Sequence, residues 1–349
     1  MCRLFACSIV VLGLLAFMPG CQKSEDTEVS DQRKLPDWMV EDAPETASGE
    51  PNFEELAAAR LSLQLNPGDR FPLKKIVRQE LTQSTLSGEP DVSQSELEVM
   101  FAISVLEKQS DRIKLGVRYD RVRYNHDVAG DKIAFDSNRD QGDVPVAVRA
   151  YRDMVGDGFA FWIGEDNQIV AVDGFTDFLR RCMRNVPEEL RASVMLGIEA
   201  GSGEDGIANF VDNSIGLLPY GTPRRPGDVW ERPKFIARPI PMQLQNEYTL
   251  KDLTADEAQI AVRGTIAPSN VGSPETHGMH VRVTGGTTSG TCTIYRNTGL
   301  PKSSHVERTV DMLVTMAPVE FRQQKRIITT IESFPVVSGA PVMQVGFER

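Results

Sequence analysis

Alternation of apolar and polar residues is the pattern that most limits how this chain can fold. Apolar residues occupy every second position over residues 97–105 and again over residues 113–119. A period of two puts alternate side chains on opposite faces of a strand, so each run predicts a half-buried antiparallel β-strand. The apolar phase changes near Asp120 and Arg121, since Val122 is the next apolar residue. This change predicts a β-bulge, which bends a sheet.

The same alternation predicts strands on both sides of a more helical middle section. Leu61, Leu63 and Leu65 alternate with polar residues and predict the first strand. Residues 158–162 and 168–172 flank a polar turn, which predicts a β-hairpin. Further runs of this kind occupy residues 260–262, 281–283, 291–295, 310–316 and 327–331. The sheet is therefore expected to draw strands from most of the chain.

Residues 174–215 carry the periodicity of helices. Asp173 is expected to cap the first helix and Pro187 to open a second, while residues 207–215 suggest a third. The first helix has one apolar stripe, which could face the core or a ligand. The stripe consists of Phe175, Phe178, Leu179, Cys182 and Met183.

Together these patterns predict an α+β fold, in which a curved, mainly antiparallel and half-barrel-like sheet accompanies a cluster of about three helices at residues 174–215. Pro-Gly-Asp occurs at residues 67–69 and again at 226–228, each time before a block of strands. The recurrence favours two similar β-halves, residues 61–173 and 217–335. Chance is the alternative, because Pro-Gly-Asp is a common turn.

The start of the chain has the features of a bacterial lipoprotein signal. Residues 1–20 contain an apolar run that is too short to cross a bilayer, and Gly20 directly precedes Cys21. We expect cleavage before Cys21 and lipidation of its thiol. An ordinary secretory signal with a chance cysteine is the alternative. Gln22 is not the aspartate associated with inner-membrane retention, which favours the outer membrane of the cell envelope.

Composition separates a tether from a folded domain. Residues 21–60 are acidic and contain few large apolar groups, which predicts a disordered tether. Residues 61–349 are expected to form the β-rich domain. The net charge of −11 and the pI of about 5.0 argue against nucleic-acid partners and against electrostatic binding to anionic membranes.

Two sequence features offer cofactor or metal chemistry, and each has a plainer interpretation. Residues 201–206 have the Gly-x-Gly-x-x-Gly spacing of a dinucleotide loop, but a predicted helix precedes them and two acids within them would repel a pyrophosphate. His277 and His280 supply too few ligands for zinc and suit an exposed loop. No motif supplies a nucleophile. The sequence therefore predicts a protein that is not an enzyme and carries no cofactor or metal.

Two further clusters leave alternatives open. Arg118, Arg121 and Arg123 could bind an anionic group, or they could pair with acids on a neighbouring strand. Cys182 and Cys292 could form a disulfide in an oxidising envelope, or each could be a small buried residue.

Turns and strand starts also carry a resemblance to a known family. The residues are Leu61-x-Leu63-x-Leu65, Gly68, residues 159–173, residues 175–183, Leu217-Leu218-Pro219, Pro226-Gly227-Asp228-x-Trp230 and residues 290–301. Over residues 60–335 the chain resembles bacterial envelope lipoproteins that share a domain of unknown function. The architecture is similar to the half-barrel of lipoprotein carriers, which have helices against a concave sheet. The resemblance implies no activity and no catalytic residue.

Three functions follow as hypotheses. The first is a non-enzymatic, membrane-anchored module that binds an apolar or lipid-like ligand, with the 175–183 helix surface as one wall. The second is a structural or interaction lipoprotein of the envelope without a ligand pocket. The third is a hydrolase, which would need titratable groups that converge in a pocket.

Overall fold

The computed structural model describes residues 58–84, 89–128, 131–191, 194, 215–219, 221–236, 240–269, 280–316 and 319–334. All of them belong to one of the two compact units into which the chain divides. The other unit, Leu14–Leu56, lies outside the described residues. The predicted signal, Cys21 and nearly all of the tether lie outside them as well, as do residues 201–206, His277 and most of the predicted third helix.

Within the described part of the chain, strands dominate. The elements in chain order are β1 Arg70–Gln83, β2 Asp91–Lys108, β3 Arg112–Val128, β4 Asp131–Asp136, α1 Val146–Met154, β5 Gly158–Gly164, β6 Ile169–Asp173, α2 Phe175–Cys182, β7 Val229–Ile236, β8 Met242–Leu253, β9 Glu257–Pro268, β10 His280–Tyr295, β11 Pro301–Met316 and β12 Val319–Ser333. Residues 188–191 are also helical and follow directly after Pro187.

The twelve strands form one antiparallel sheet that is open at both ends. Its order is β6-β5-β3-β2-β1-β12-β11-β10-β9-β8-β7, and β4 pairs beside β3. The two ends approach each other, because the Arg232 guanidinium of β7 donates a hydrogen bond (3.2 Å) to the Asp166 carbonyl in the β5–β6 turn. The sheet therefore curls around one face, which carries the buried side chains and is called the inner face below.

The predicted bulge and hairpin are confirmed. Asp120 has no partner in β2, since Tyr119 pairs with Phe101 and Arg121 pairs with Met100. Because of this extra residue, side chains point inward at odd-numbered positions before it and at even-numbered positions after it. The change of apolar phase in the sequence predicted this. β5 and β6 form the hairpin.

The predicted strand at Leu61–Leu63–Leu65 is wrong, because these residues form no strand. Instead, their segment crosses one end of the sheet, where the Gln64 N–H donates to the Thr298 carbonyl at 2.9 Å. Leu61 packs in the apolar cluster of the second half, Leu65 in that of the first, and Leu63 contacts both. The alternating leucines of this extended segment therefore pack into two different apolar clusters.

The predicted helix cap is also wrong. Gly174, with a φ of 73°, precedes α2, and no side chain caps it. The Asp173 carboxylate instead accepts from Lys114 Nζ (2.6 Å) and from the Trp162 indole N–H (3.3 Å). A cross-strand lysine thus outcompetes the local backbone donors for this carboxylate.

The two Pro-Gly-Asp turns fold alike. In residues 66–69 and 225–228, the aspartate side chain accepts from the backbone N–H three residues earlier, at 2.8 and 2.9 Å. The glycines have φ of 94° and 92°. Their N–H groups donate to the carbonyls of Val105 and Leu250, at 2.9 and 2.7 Å. Each turn therefore fixes the start of its block to the second strand of that block.

The correspondence continues into the strands. In each block, one unpaired extra residue follows the residue whose carbonyl accepts from the turn. Leu106 follows Val105 in β2, and Lys251 follows Leu250 in β8. The β5–β6 and β10–β11 hairpins also share an extra residue, Val170 and Lys302. The strands β1, β2, β3, β5 and β6 thus correspond to β7, β8, β9, β10 and β11.

Buried apolar side chains form three clusters on the inner face. The first fills the inner side of β1–β5 beneath α1 and α2. The second lies at the Pro-Gly-Asp end of β7–β10, with Leu217 and Leu218. The third, called the upper cluster, consists of Met242, Leu244, Ile266, Val283, Val310 and Met312. Within the part of the chain that is described, no helix packs on the upper cluster, whereas two helices cover the matching region of the first half.

Candidate functional site

A row of cross-strand partners crosses the inner face between the second cluster and the upper cluster. Each member pairs with the next through the ladders of neighbouring strands, from β8 to β3. The members are Asn246, Gly264, Thr288, Arg308, Ile327, Gln79, Ser95 and His126. We call this set the polar row. It brings polar side chains from six strands to one level of the inner face, with Gly264 and Ile327 at the other two positions.

In the polar row, Asn246 Oδ1 and Thr288 Oγ1 are buried without a hydrogen-bond partner among the described residues. Both side chains are buried, at 7% and 3% exposure. A buried polar atom left without a partner costs about 1 to 3 kcal/mol. Native proteins keep few such atoms, so two of them on nearby strands make this level of the sheet a candidate binding surface.

Gly264 explains how the Asn246 amide reaches its position. The amide nitrogen donates to the Tyr248 hydroxyl (3.3 Å), which leaves the amide oxygen over β9. A Cβ on Gly264 would lie 2.3 Å from this oxygen and 2.8 Å from the Gln245 carbonyl. Only a glycine at this position leaves the space between Asn246 and Thr288 open.

The charge of this region is positive, although the whole chain is acidic. Arg308 lies in the polar row with 9% exposure. Lys325 on β12 lies directly across from Val310 on one side and Leu81 on the other. Burial lowers the pKa of Lys325. Among the described residues, no inward position of β8–β12 carries an acid.

A cavity of about 470 Å³ opens beside Asn246 at the seam where the sheet ends approach. Trp230 stacks on Tyr248 (5.9 Å between centroids), and its indole N–H donates to the Leu217 carbonyl at 2.8 Å. The Arg224 guanidinium lies 5.7 Å from the Trp230 ring centre. This seam cavity therefore joins aromatic walls and a cation to one end of the polar row.

The upper cluster borders the polar row on its other side. Leu244, Ile266 and Val310 are the next inward residues after Asn246, Gly264 and Arg308 on their strands. Apolar wall and polar row are thus about 7 Å apart along each strand, the length of two residues. This arrangement suits a ligand with an apolar part and a polar end.

The predicted helix surface lies elsewhere. Phe178, Cys182 and Met183 are buried in the first cluster, and Phe175 and Leu179 are partly buried against it. The Phe178 ring stacks on Tyr119, with 5.6 Å between centroids. This face of α2 is therefore its contact with the sheet. Phe175 of this stripe also borders a groove of about 420 Å³ along β6.

The two cysteines of the domain do not pair. Cys182 and Cys292 are both free and buried. They belong to different apolar clusters, which is why the disulfide considered from the sequence does not form. Burial raises the pKa of each thiol to about 12.

The arginine cluster follows the plainer interpretation. The Arg121 guanidinium lies 2.6 Å from the Asp136 carboxylate, and Arg123 lies 3.3 Å from the same group. Arg118 is near Asp120 at 3.9 Å. The anion-site interpretation of these arginines is wrong, because cross-strand and local acids already pair with them.

Sequence reasoning missed Asn246, Thr288 and Arg308. One signal was present: Arg308 occupies the inward phase of β11, between Val306 and Val310. The missing information was register, since only strand pairing brings residues 20 or more positions apart to one level.

Groups of His, Cys, Asp and Glu that could hold a metal do not occur in the described part of the chain. Its helices include none that is long and apolar enough to cross a membrane.

Fold and site together define a curled antiparallel β-sheet protein with a polar row inside it. The chain belongs to the family of unknown function DUF6263, whose model matches residues 110–301. That segment includes Asn246, Gly264 and Thr288 and ends before Arg308. No curated protein matches the sequence.

Solved structures share weak similarity with the chain. Lipovitellin, from a study of lipid–protein interactions, is 12% identical with a TM-score of 0.39, over 80% of this chain and 27% of lipovitellin. The chain thus corresponds to about a quarter of the lipovitellin chain. The COG4313 outer membrane channel from Pseudomonas putida F1 is 7% identical with a TM-score of 0.16, over 78% and 97% of the two chains. OccK11 from Pseudomonas aeruginosa is 8% identical with a TM-score of 0.19, over 78% and 99%.

Proposed function

We propose that the protein is a non-catalytic, membrane-anchored module of the bacterial envelope that binds a lipid-like ligand on the inner face of β8–β12. The observation that carries the proposal is the apolar upper cluster beside buried polar atoms that lack partners. An apolar chain would lie against the cluster, and its polar end would reach the polar row. Lipidation of Cys21 would tether the domain through residues 21–60, in the outer membrane rather than the inner one.

The chemistry of the site favours binding over catalysis. Its described polar groups are an amide, a hydroxyl, a guanidinium and an ammonium, which hold a ligand through hydrogen bonds and charge. The thiols of Cys182 and Cys292 lie in other clusters, and their raised pKa keeps them protonated at neutral pH. The site therefore supports recognition of an amphipathic molecule.

The second candidate, an envelope protein that binds other proteins, is favoured by strand β6. This strand lies at one end of the sheet order, and Val170 on it is 55% exposed. An open strand edge beside a groove can accept a strand from a partner. Such a partner would pair with β6, which lies at the opposite end of the sheet order from β7.

The test is binding of a neutral apolar fluorescent probe to the purified full chain. We expect micromolar binding, and we expect Val310→Thr to weaken it about fivefold, because a hydroxyl would be buried in the apolar wall. Thr309→Val, on the outward side of the same strand, is the matched control and should leave affinity unchanged. Absence of probe binding to the unmutated chain would contradict the proposal. It would favour the second candidate, a protein that binds a partner at β6.

A further inference from the structure

We infer that the ligand is an acyl-chain lipid whose polar end combines an anionic group with a hydroxyl, held by Arg308, Thr288 and Asn246. This inference rests on the proposed function and specifies the class of ligand. It stands on three adjoining features of the inner face: a convergent donor pair, a buried acceptor and an apolar wall.

The donor pair is formed by Thr288 and Arg308. They are direct cross-strand partners on β10 and β11, so their Cα atoms lie about 5 Å apart and their side chains share one side of the sheet. The threonine hydroxyl has no partner among the described residues, and it can donate a hydrogen bond. Hydroxyl and guanidinium can therefore converge on one acceptor group. A negative charge on that group would complement Arg308.

The buried acceptor is Asn246 Oδ1. It lies two strands from Thr288 across Gly264, which is a Cα separation of about 10 Å. A carbonyl oxygen only accepts, so the ligand must present an O–H or N–H at this point. A hydroxyl suits the position, because an ammonium would bring a second cation close to Arg308. The spacing places this hydroxyl beside the anionic group.

Charge and shape complete the match. Lys325 lies one inward position beyond the row and adds a second basic side chain. The apolar wall of Leu244, Ile266 and Val310 begins at the same level. An acyl chain can therefore run along the upper cluster while its head lies on the polar row. The net charge of −11 does not oppose this anion, since the acids of β8–β12 point to the outer side.

Two lipid classes share this chemistry: lysophospholipids with a phosphoglycerol head and hydroxylated fatty acids. The experiment is displacement of the apolar probe from the full chain by five lipids of equal chain length. These are lysophosphatidylglycerol, a 3-hydroxy fatty acid, the plain fatty acid, a monoacylglycerol and an acylcholine. We expect one or both of the first two to bind at least tenfold more tightly than the other three. Which of the two binds identifies the source.

Variants assign the contacts. Thr288→Val is expected to weaken the preferred lipid about fivefold, and Arg308→Gln at least tenfold, since bonds to charged groups are the stronger ones. Asn246→Leu should weaken the hydroxylated lipids and leave the plain fatty acid unchanged. Thr287→Val and Arg263→Gln, both on the outward side, are matched controls expected to bind like the unmutated chain.

The outcomes separate the two claims. Equal affinity for all five lipids would overturn the head-group inference and leave the proposed function standing. Preference for the acylcholine would also overturn it. Failure of the probe itself to bind would remove the proposed function and the inference together. The lipid series uses the unmutated chain, so it decides the matter even if a variant does not fold.

Discussion

In the proposed function, single buried polar residues decide what this molecule binds. Asn246, Thr288 and Arg308 bring polar groups to buried inward positions, and the two atoms without a partner, Asn246 Oδ1 and Thr288 Oγ1, cost stability in the unliganded protein. Gly264 adds to the cost, because glycine within a strand loses packing and backbone entropy. A chain selected only for stability would have apolar residues at these positions. We therefore attribute them to a ligand.

Lys75 gives a prediction about pH. Lys75 is 7% exposed, and burial lowers the pKa of its ammonium to about 8 from 10.5. The unfolded chain holds this proton more tightly, so the unfavourable contribution is fully present below pH 8 and fades as pH rises to 10.5. Lys75→Met should raise the free energy of unfolding at pH 7 by about 1 to 3 kcal/mol. Urea titrations at pH 7 and pH 10 measure both effects.

The matched control is Lys74→Met. Lys74 points to the outer side, where its ammonium lies 2.6 Å from the Glu332 carboxylate. Loss of this exposed pair should change stability by about 0.5 kcal/mol or less. The pH dependence should persist in this variant. A Lys75→Met protein less stable than the unmutated one at pH 7 would show that the charged amine stabilises the fold.

The two buried cysteines give a prediction about thiol chemistry. Cys182 and Cys292 are 1% and 0% exposed, and their thiols have a pKa near 12. We expect neither to react with an alkylating reagent at pH 8 in the folded protein. Both should react in denaturant without any reductant, as peptide mapping by mass spectrometry would show. If the two thiols in denaturant were alkylated only after a reductant was added, the two cysteines would form a disulfide.

The repeated turns matter at the scale of elements, because each one anchors a block of strands. Gly68 and Gly227 have φ above 90°, and an alanine there is strained. Gly68→Ala and Gly227→Ala should each lower the free energy of unfolding by about 1 to 2 kcal/mol. Thermal and urea unfolding measure this loss. Gly142→Ala is the control, since Gly142 has ordinary φ and open space around it.

Near-equal losses in the two turn variants are the expected result. A large loss in one and none in the other would show that the two blocks do not depend on their turns alike. The shared contacts to Val105 and Leu250, with an extra residue directly after each, support the predicted duplication. In that interpretation, β12 is the strand that joins one copy to the other.

Elements with strong local patterns could be predicted from the sequence. The bulge at Asp120 followed from a change of apolar phase, and the β5–β6 hairpin from two apolar runs around a polar turn. The segment at Leu61 could not be assigned correctly, because contact with two cores gives the same alternation as a strand. Helix α1 was missed, since its short run of valines and alanines resembles a strand as much as a helix.

At the scale of the whole molecule, the candidate site depends on register. Each of eight strands contributes one residue to the row, and apart from the inward phase of Arg308 nothing within one strand marks that residue as functional. The order in which β12 lies between β1 and β11 brings the two blocks side by side, and the sheet then curls so that Arg232 meets Asp166. Local patterns do not encode long-range pairing of this kind, so the fold class was predictable and the site was not.

The two blocks of strands differ in what lies on their inner faces. Helices α1 and α2 cover the inner face of the first block, which makes that region a packed core. The corresponding region of the second block carries the upper cluster and the polar row. The first block therefore has a mainly structural role, and the proposed ligand binding belongs to the second. A measurement on the intact protein should find a ligand associated with β8–β12.

The measurement that tests this most directly is native mass spectrometry of the full chain, purified from its own envelope and followed by lipid extraction. We predict one bound lipid for each chain, anionic and hydroxylated, and its loss in Arg308→Gln but not in Arg263→Gln. A chain that carries no lipid when isolated in this way, and binds none when lipids are added back, would contradict the account.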